Sequence, residues 1–246
     1  MQKKLFFLIA FIVIAGSFLT AGDKKFKTEV FKTDAGPMEI TFIGHGTLMF
    51  TFNKMIIHVD PISRVADYTQ LPKADLVLIT HHHGDHLDTG ALEHIRTEKT
   101  PVVLTKKCSE TVSGGIIMAN GDIKTVKNLK IEAVPAYNLV HKRKDGKPFH
   151  IKGEGNGYVI TFSNKRVYVA GDTENTPEMK KLEDIDIAVL PMNLPYTMTP
   201  EMVADAAKAF KPKVLFIYHF FPEQVDFPKL KNLMKDTKEV DLRIHQ

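Results

Sequence analysis

The run Thr80-His81-His82-His83-Gly84-Asp85-His86-Leu87-Asp88 places four histidines and two aspartates within nine residues, directly after the apolar stretch at 76–79. This constrains the fold more than any other part of the chain. The apolar stretch reads as a buried strand, and it must end in a loop that carries many metal-ligand side chains. In an extended backbone alternate side chains share a face, so His81, His83 and Asp85 are expected to point one way and His82 the other. Imidazole and carboxylate together suit a zinc-like divalent ion, and a catalytic zinc takes three protein ligands and leaves a fourth position open.

The rest of the chain alternates short apolar runs with turn residues and helical patterns. Strands are expected at 38–44, 47–53, 55–60 and 76–80, with Asn53-Lys54 as a hairpin turn. Helix 87–97 follows, with Leu87, Leu92 and Ile95 on its apolar side, then strands 101–105 and 129–134. A second half opens with a hairpin, 157–162 and 166–170, around Ser163-Asn164-Lys165. Helix 177–182 and strand 185–190 come next. Thr199 is placed to cap a helix with Pro200 at its first position; that helix, 200–210, should turn Met202, Ala206 and Phe210 inward. Strand 214–218, helix 228–234 and an edge strand 240–245 close the chain. Periodicity alone gives an α/β protein, with no repeat or linker that divides it.

Composition narrows the function. A chain of 246 residues that is 43% hydrophobic and 25% charged is ordinary globular protein. The formal charge is +4, of which Lys3 and Lys4 contribute two, so no polyanion partner such as nucleic acid is implied. Those lysines open a segment that reads as an export signal. A basic start and an apolar core at 5–15 lead to small residues ending at Ala21-Gly22. Residues 1–22 are therefore expected to be a signal peptide or membrane anchor, and 23–246 one exported domain, periplasmic or secreted. Cys108 is the single cysteine, so no intrachain disulfide forms; it is expected at a surface or half-buried helix start.

The motif His81-x-His83-x-Asp85-His86 resembles the signature of the metallo-β-lactamase superfamily. The resemblance continues in Asp60-Pro61 after an earlier strand, Gly171-Asp172-Thr173 after strand 167–170, and His219 at the end of strand 214–218. Phe42-Ile43-Gly44-His45-Gly46-Thr47 and Pro135-Ala136-Tyr137-Asn138 are similar to the branch of ascorbate-6-phosphate lactonase-like proteins and metal-dependent hydrolases. The resemblance implies an αββα four-layer sandwich and a metal-dependent hydrolase with two zincs per chain, although manganese or iron fits the same donors. It implies that His81 and His83 bind the first ion and that Asp85, His86 and His219 bind the second, with Asp172 bridging. His141 is the expected third ligand of the first ion, with Asn138 and His150 as alternatives. Asp60 would orient a metal histidine from behind. A metal-held hydroxide would attack an ester, lactone or phosphodiester, with Asp85 and His45 as catalytic residues, His45 as a substrate contact or proton carrier. Tyr137, Asn138 and Tyr196 are expected to line the pocket for a small substrate. The basic tract Lys142-Arg143-Lys144 beside them could receive an anionic one. Two other readings remain: a di-iron redox member of the fold, which the histidine at position 83 disfavours because the iron enzymes commonly carry glutamate there, and a metal-binding protein without turnover.

Overall fold

The computed structural model describes residues 18–21 and 24–245. The expected leader, residues 1–22, lies outside them except for one short strand, β1 (Phe18–Ala21). Among the described residues no helix is long and apolar enough to cross a membrane.

Strands β2 (Lys24–Thr33), β3 (Gly36–Gly44), β4 (Thr47–Phe52), β5 (Met55–Val59), β6 (Leu76–Leu78), β7 (Val102–Leu104) and β8 (Ile116–Ile117) join β1 in one sheet, in chain order. Strands β9 (Ile123–Val126), β10 (Leu129–Ala136), β11 (Gly155–Phe162), β12 (Lys165–Val169), β13 (Ile187–Pro191), β14 (Val214–Tyr218) and β15 (Asp241–Ile244) form the second, also in chain order. Each sheet begins antiparallel and turns parallel part-way, at the β5–β6 pair in the first and the β12–β13 pair in the second. The helices α1 (Thr89–Ile95), α2 (Pro177–Lys180), α3 (Pro200–Phe210) and α4 (Phe227–Met234) lie in the β6–β7, β12–β13, β13–β14 and β14–β15 crossovers, since parallel neighbours demand a long connection.

The side-chain alternation of the strands explains the layering. On β13, Ile187 and Val189 enter the cluster between the sheets, while Ala188 and Leu190 enter the cluster under α2, α3 and α4. On β14, Phe216 faces the other sheet and Leu215 and Ile217 face those helices. On the first sheet, Leu76 and Leu78 point inward, whereas Val77 and Ile79 meet Ala91, Leu92 and Ile95 of α1. Strands covered on both faces must be apolar throughout, as these runs are. The result is helix, sheet, sheet, helices: the αββα sandwich. Phe50 and Phe162 stack across the middle with centroids 5.4 Å apart.

The helix starts follow their capping residues. Thr199 Oγ1 accepts from Met202 N, and α3 has the predicted bounds, because a side-chain acceptor and a proline at the first turn mark the same position. Val203, Ala207 and Phe210 supply its buried face along with Ala206; Met202 is only half-buried. α1 begins at Thr89, two residues later than expected, because Asp88 Oδ1 accepts from Gly90 N and Ala91 N. β2 carries no clean alternation and escaped the sequence reading; it is held by pairing with β3 over seven residue pairs. Cys108 is fully buried rather than half-exposed, at the start of a single helical turn.

Candidate metal centre

The carboxyl ends of successive strands converge at one edge of the sandwich. Asp60 follows β5, His81 to His86 follow β6, Asp172 follows β12, Asn193 follows β13 and His219 follows β14. The β3–β4 turn adds His45 and Gly46. This is where open parallel sheets place ligands, since the chain leaves each strand there to loop back. His45, Asp60 and His219 all have positive φ, at 51°, 47° and 49°. Side chains rarely adopt this conformation, and it costs energy that the surrounding structure must repay.

The loop after β6 is a tight turn rather than an extended segment: His86 N and Leu87 N both donate to His83 O. The expected alternation therefore fails after His83. His81 and His83 stay together, and Asp85 swings to the other side. Two groups of donors result. In one, nitrogens of His81, His83 and His150 lie within 4.8 Å of one another; in the other, donor atoms of His45, Asp85, His86 and His219 do the same. Asp172 stands between them. Its Oδ1 is 3.3 Å from His86 Nε2 and 3.3 Å from His219 Nε2, and its Oδ2 is 3.3 Å from His150 Nε2.

The hydrogen bonds behind the histidines settle which ring nitrogen faces the group. Thr80 Oγ1 donates to Asp60 Oδ2 at 2.6 Å, so it must accept from His81 Nδ1–H at 3.0 Å. His86 Nδ1–H donates to the same Asp60 oxygen at 2.7 Å. Asn138 Oδ1 accepts from His150 Nδ1–H at 2.8 Å. In all three rings the Nε2 lone pair is therefore turned inward. His81 Nε2, His86 Nε2, His219 Nε2 and Asp172 Oδ1 are buried with no hydrogen-bond partner among the described residues. At least three of these, His81 Nε2, His86 Nε2 and Asp172 Oδ1, are buried acceptors converging on one space, and they cost several kcal/mol unless a cation satisfies them. The donor set, neutral imidazoles with one or two carboxylates, suits zinc or a similar divalent ion.

The charges tell the same story. Burial pulls His81 well below the ordinary histidine value, and the neighbouring His86 adds to this. Burial, with His150 and His82 nearby, brings His83 down to about 4. Burial also opposes the charge on His86, yet Asp172 and Asp60 outweigh it and hold His86 well above the usual range. With only a proton to share, an acceptor ring facing Asp172 has to become imidazolium; a divalent ion removes that need. Burial raises Asp172 and Asp85, but the surrounding histidines dominate and keep both carboxyls ionised.

Several expected roles move. His141 joins neither donor group. Its Nδ1 lies 2.6 Å from Glu174 Oε1 instead. His150 takes the place expected of it. Asn138 does not face the pocket either; its amide is consumed by His150 N, His150 Nδ1, Glu174 Oε1 and Tyr196 O. Tyr137 is buried, with its hydroxyl donating to Glu178 Oε2 at 3.0 Å, and lines no part of the cavity. Tyr196 does line it. His82 joins neither donor group, and its ring packs on His83.

Glu174 went unnoticed in the sequence. It is fully buried and accepts from the backbone N–H groups of Leu139, Val140 and His141, from His141 Nδ1 and from Asn138 Nδ2. Burial would raise its carboxyl, but these donors hold it below the ordinary value. The one sequence signal was its place two residues after Asp172. Gly46 was quoted only as motif: a Cβ there would lie 2.6 Å from His86 Cε1 and 3.1 Å from His219 Cδ2. The cavity over the two donor groups has a volume of about 450 Å³, and its lining includes His45, Asp85, Asn193, Tyr196 and Phe221.

Sandwich, strand-end histidines and a shared aspartate define the class of metallo-β-lactamase-fold proteins. Residues 39–219 match the family model described as Beta-lactamase superfamily domain, and the chain belongs to that family. It is 32% identical over 218 residues to a UPF0173 metal-dependent hydrolase of Thermococcus onnurineus, covering 82% of this chain and 95% of that one. A crystal structure from Parabacteroides distasonis, of a protein assigned as a metal-dependent hydrolase, superposes with TM-score 0.84 at 46% identity, over 89% of this chain and 98% of that chain. Igni18, a metallo hydrolase of Ignicoccus hospitalis, superposes with TM-score 0.69 at 26% identity, over 85% of this chain and 95% of that chain.

Proposed function

We propose that this metal-dependent hydrolase of the metallo-β-lactamase fold works with two divalent ions, zinc by its donor set, and cleaves an ester, lactone or phosphodiester. The observation that carries this reading is the pair of donor groups sharing Asp172, one oxygen turned to each. His81, His83 and His150 would hold one ion; Asp85, His86 and His219 would hold the other. Such a pair supplies acidified water and a Lewis-acid grip on the scissile carbonyl or phosphoryl oxygen.

The chain's own residues do the rest. Asp60 and Asn138 hold three rings in the tautomer that presents Nε2. Asp85 keeps 34% of its side-chain surface open and its Oδ2 lies 3.0 Å from His45 Nε2. With Asp85 ionised, His45 Nε2–H donates in that contact, and the pair would give up a proton to the leaving group and regain one from the attacking water. His45 is itself packed against His219, with centroids 3.9 Å apart and the rings tilted by 40°. Phe149, Tyr196 and Phe221 supply the apolar part of the cavity wall. The apolar leader supports export to the periplasm or the medium.

Elemental analysis of the purified protein tests this directly, with His81→Ala as the binding variant and the exposed His94→Ala as control. Two zincs per chain, reduced in His81→Ala together with esterase or phosphodiesterase activity, is the expected result. Iron at stoichiometric level would favour a redox role, and no metal under replete conditions would refute the reading.

A further inference from the structure

The cavity carries charge that the metal reading does not use. Its charged lining residues, apart from histidines, are Asp85, Asp172, Arg64 and Arg143. Both carboxylates are turned toward the histidine groups. Neither guanidinium has a carboxylate partner among the described residues.

Both arginines sit on braced backbone. Arg64 lies in a turn after β5 in which Val65 N donates to Ile62 O at 3.2 Å. The same turn is tied to the start of α1, because Ser63 N donates to Asp88 Oδ2 at 2.8 Å. Arg143 lies on a small hairpin closed by the Lys142–Pro148 bridge and by Arg143 N donating to Lys147 O at 2.7 Å. Its guanidinium lies over the Phe149 ring, 5.0 Å from the centroid, and gives one N–H to Phe149 O at 3.3 Å. The remaining N–H groups are free in a fork that suits a planar or tetrahedral oxyanion. Phe149 also meets Tyr196 edge-on at 5.0 Å, and both rings line the cavity that Arg143 shares with His83 and His150.

We propose that Arg64 and Arg143 form an anion subsite, so that the substrate carries a phosphate or carboxylate away from the bond that is cleaved, joined to it by a ring or apolar segment that lies on Phe149 and Tyr196. This rests on the hydrolase reading of the same cavity and names its substrate class. Two ions offset by Asp85 and Asp172 leave the floor positive, and two unpaired arginines at the rim add to this, so a neutral or cationic substrate would waste the field. Of the basic tract Lys142-Arg143-Lys144, only the arginine reaches the cavity.

The test is calorimetric binding of three non-hydrolysable probes to metal-loaded and to chelator-stripped full-length protein: phenylphosphonate, 3-phenylpropanoate and neutral benzamide. Arg64→Gln and Arg143→Gln should each weaken the preferred anionic probe about tenfold, and the double variant more, since each removes charge-assisted hydrogen bonds. Lys142→Gln with Lys144→Gln removes the same charge outside the cavity and should change affinity less than about twofold. Greater loss for phenylphosphonate marks a phosphate-bearing substrate, and greater loss for 3-phenylpropanoate a carboxylate-bearing one. Unaltered anion affinity in the double variant overturns the subsite, as does an equal loss in the double-lysine control or tighter binding of benzamide than of both anions. Chelator-stripped protein keeps the two readings apart. Arginine-dependent anion binding that persists there supports the subsite even if metal analysis refutes the hydrolase.

Discussion

Asn138 is expected to act on metal affinity through His150, and two substitutions separate its two halves. Its Oδ1 accepts from His150 N and His150 Nδ1, both at 2.8 Å; its Nδ2 donates to Glu174 Oε1 at 3.1 Å and to Tyr196 O at 2.9 Å. The residue is only 7% exposed. Asn138→Ala strands two donors of His150, at about 1–3 kcal/mol each when no water replaces the carbonyl. A stability loss of about 3 kcal/mol is expected, since the vacated space admits some water. It also frees the ring to rotate or change tautomer, which should cost about 10–100-fold in affinity for one ion. Asn138→Asp keeps the acceptor for His150 and loses the donor to Glu174, setting one carboxylate against another. It should destabilise comparably but hold metal affinity within about threefold of wild type, because the bond to the ligand ring survives. Zinc competition against a chromophoric chelator, with melting curves on the same samples, reads both quantities. Wild-type affinity in Asn138→Ala would refute the orienting role. Equal loss of affinity in Asn138→Asp would show that the loop anchor matters and the ring bond does not.

Four further outcomes are expected. His150→Ala should remove about one ion per chain while His141→Ala leaves the metal content unchanged, and elemental analysis showing the reverse would restore His141 as a ligand. Gly46→Ala should abolish activity with a smaller effect on folding, because its Cβ would press on His86 and His219; retained turnover would show that these rings can shift. Asp60→Asn should lower metal affinity about 10–100-fold, since one carboxylate orients both His81, through Thr80, and His86. His58 is buried and held down at about 4 by desolvation, although its bond to Pro72 O opposes this. Its folded value lies below the unfolded one, so it adds no instability above pH 6.5 and costs stability as pH falls from there to about 4. The full cost is about 3 kcal/mol. His58→Leu should flatten the acid limb of the metal-free protein's stability curve, with about 2.5 kcal/mol of that cost present by pH 4.5, and denaturant titrations at pH 7 and pH 4.5 check it.

The sequence by itself determined the frame of the site. The His81-x-His83-x-Asp85-His86 run, Asp172 and His219 each follow an apolar strand directly, so locating the strand also located the clustered donor side chains. α3 was legible to the residue because its cap and its proline are local signals. Tertiary structure decided what lies on long loops and what depends on pairing. His150 is twelve residues beyond Asn138 in a stretch without periodicity. It reaches His81 and His83 because Glu174, from a different strand end, gathers the backbone of residues 139–141, and because Asn138 bonds back to His150. His141, which looked the better ligand, is drawn away by that same carboxylate. The split between His83 and Asp85 likewise arises from the turn closed on His83 O, which breaks the strand alternation that a linear reading assumes. The arginines of the cavity rim come from loops after β5 and β10, nearly eighty residues apart, and only the packing of the two sheets brings them to one opening. Donor side chains at strand ends are set by local sequence; partners and tautomers are set by buried hydrogen bonds between distant segments, where leaving a polar group unpaired is the cost that selects the arrangement.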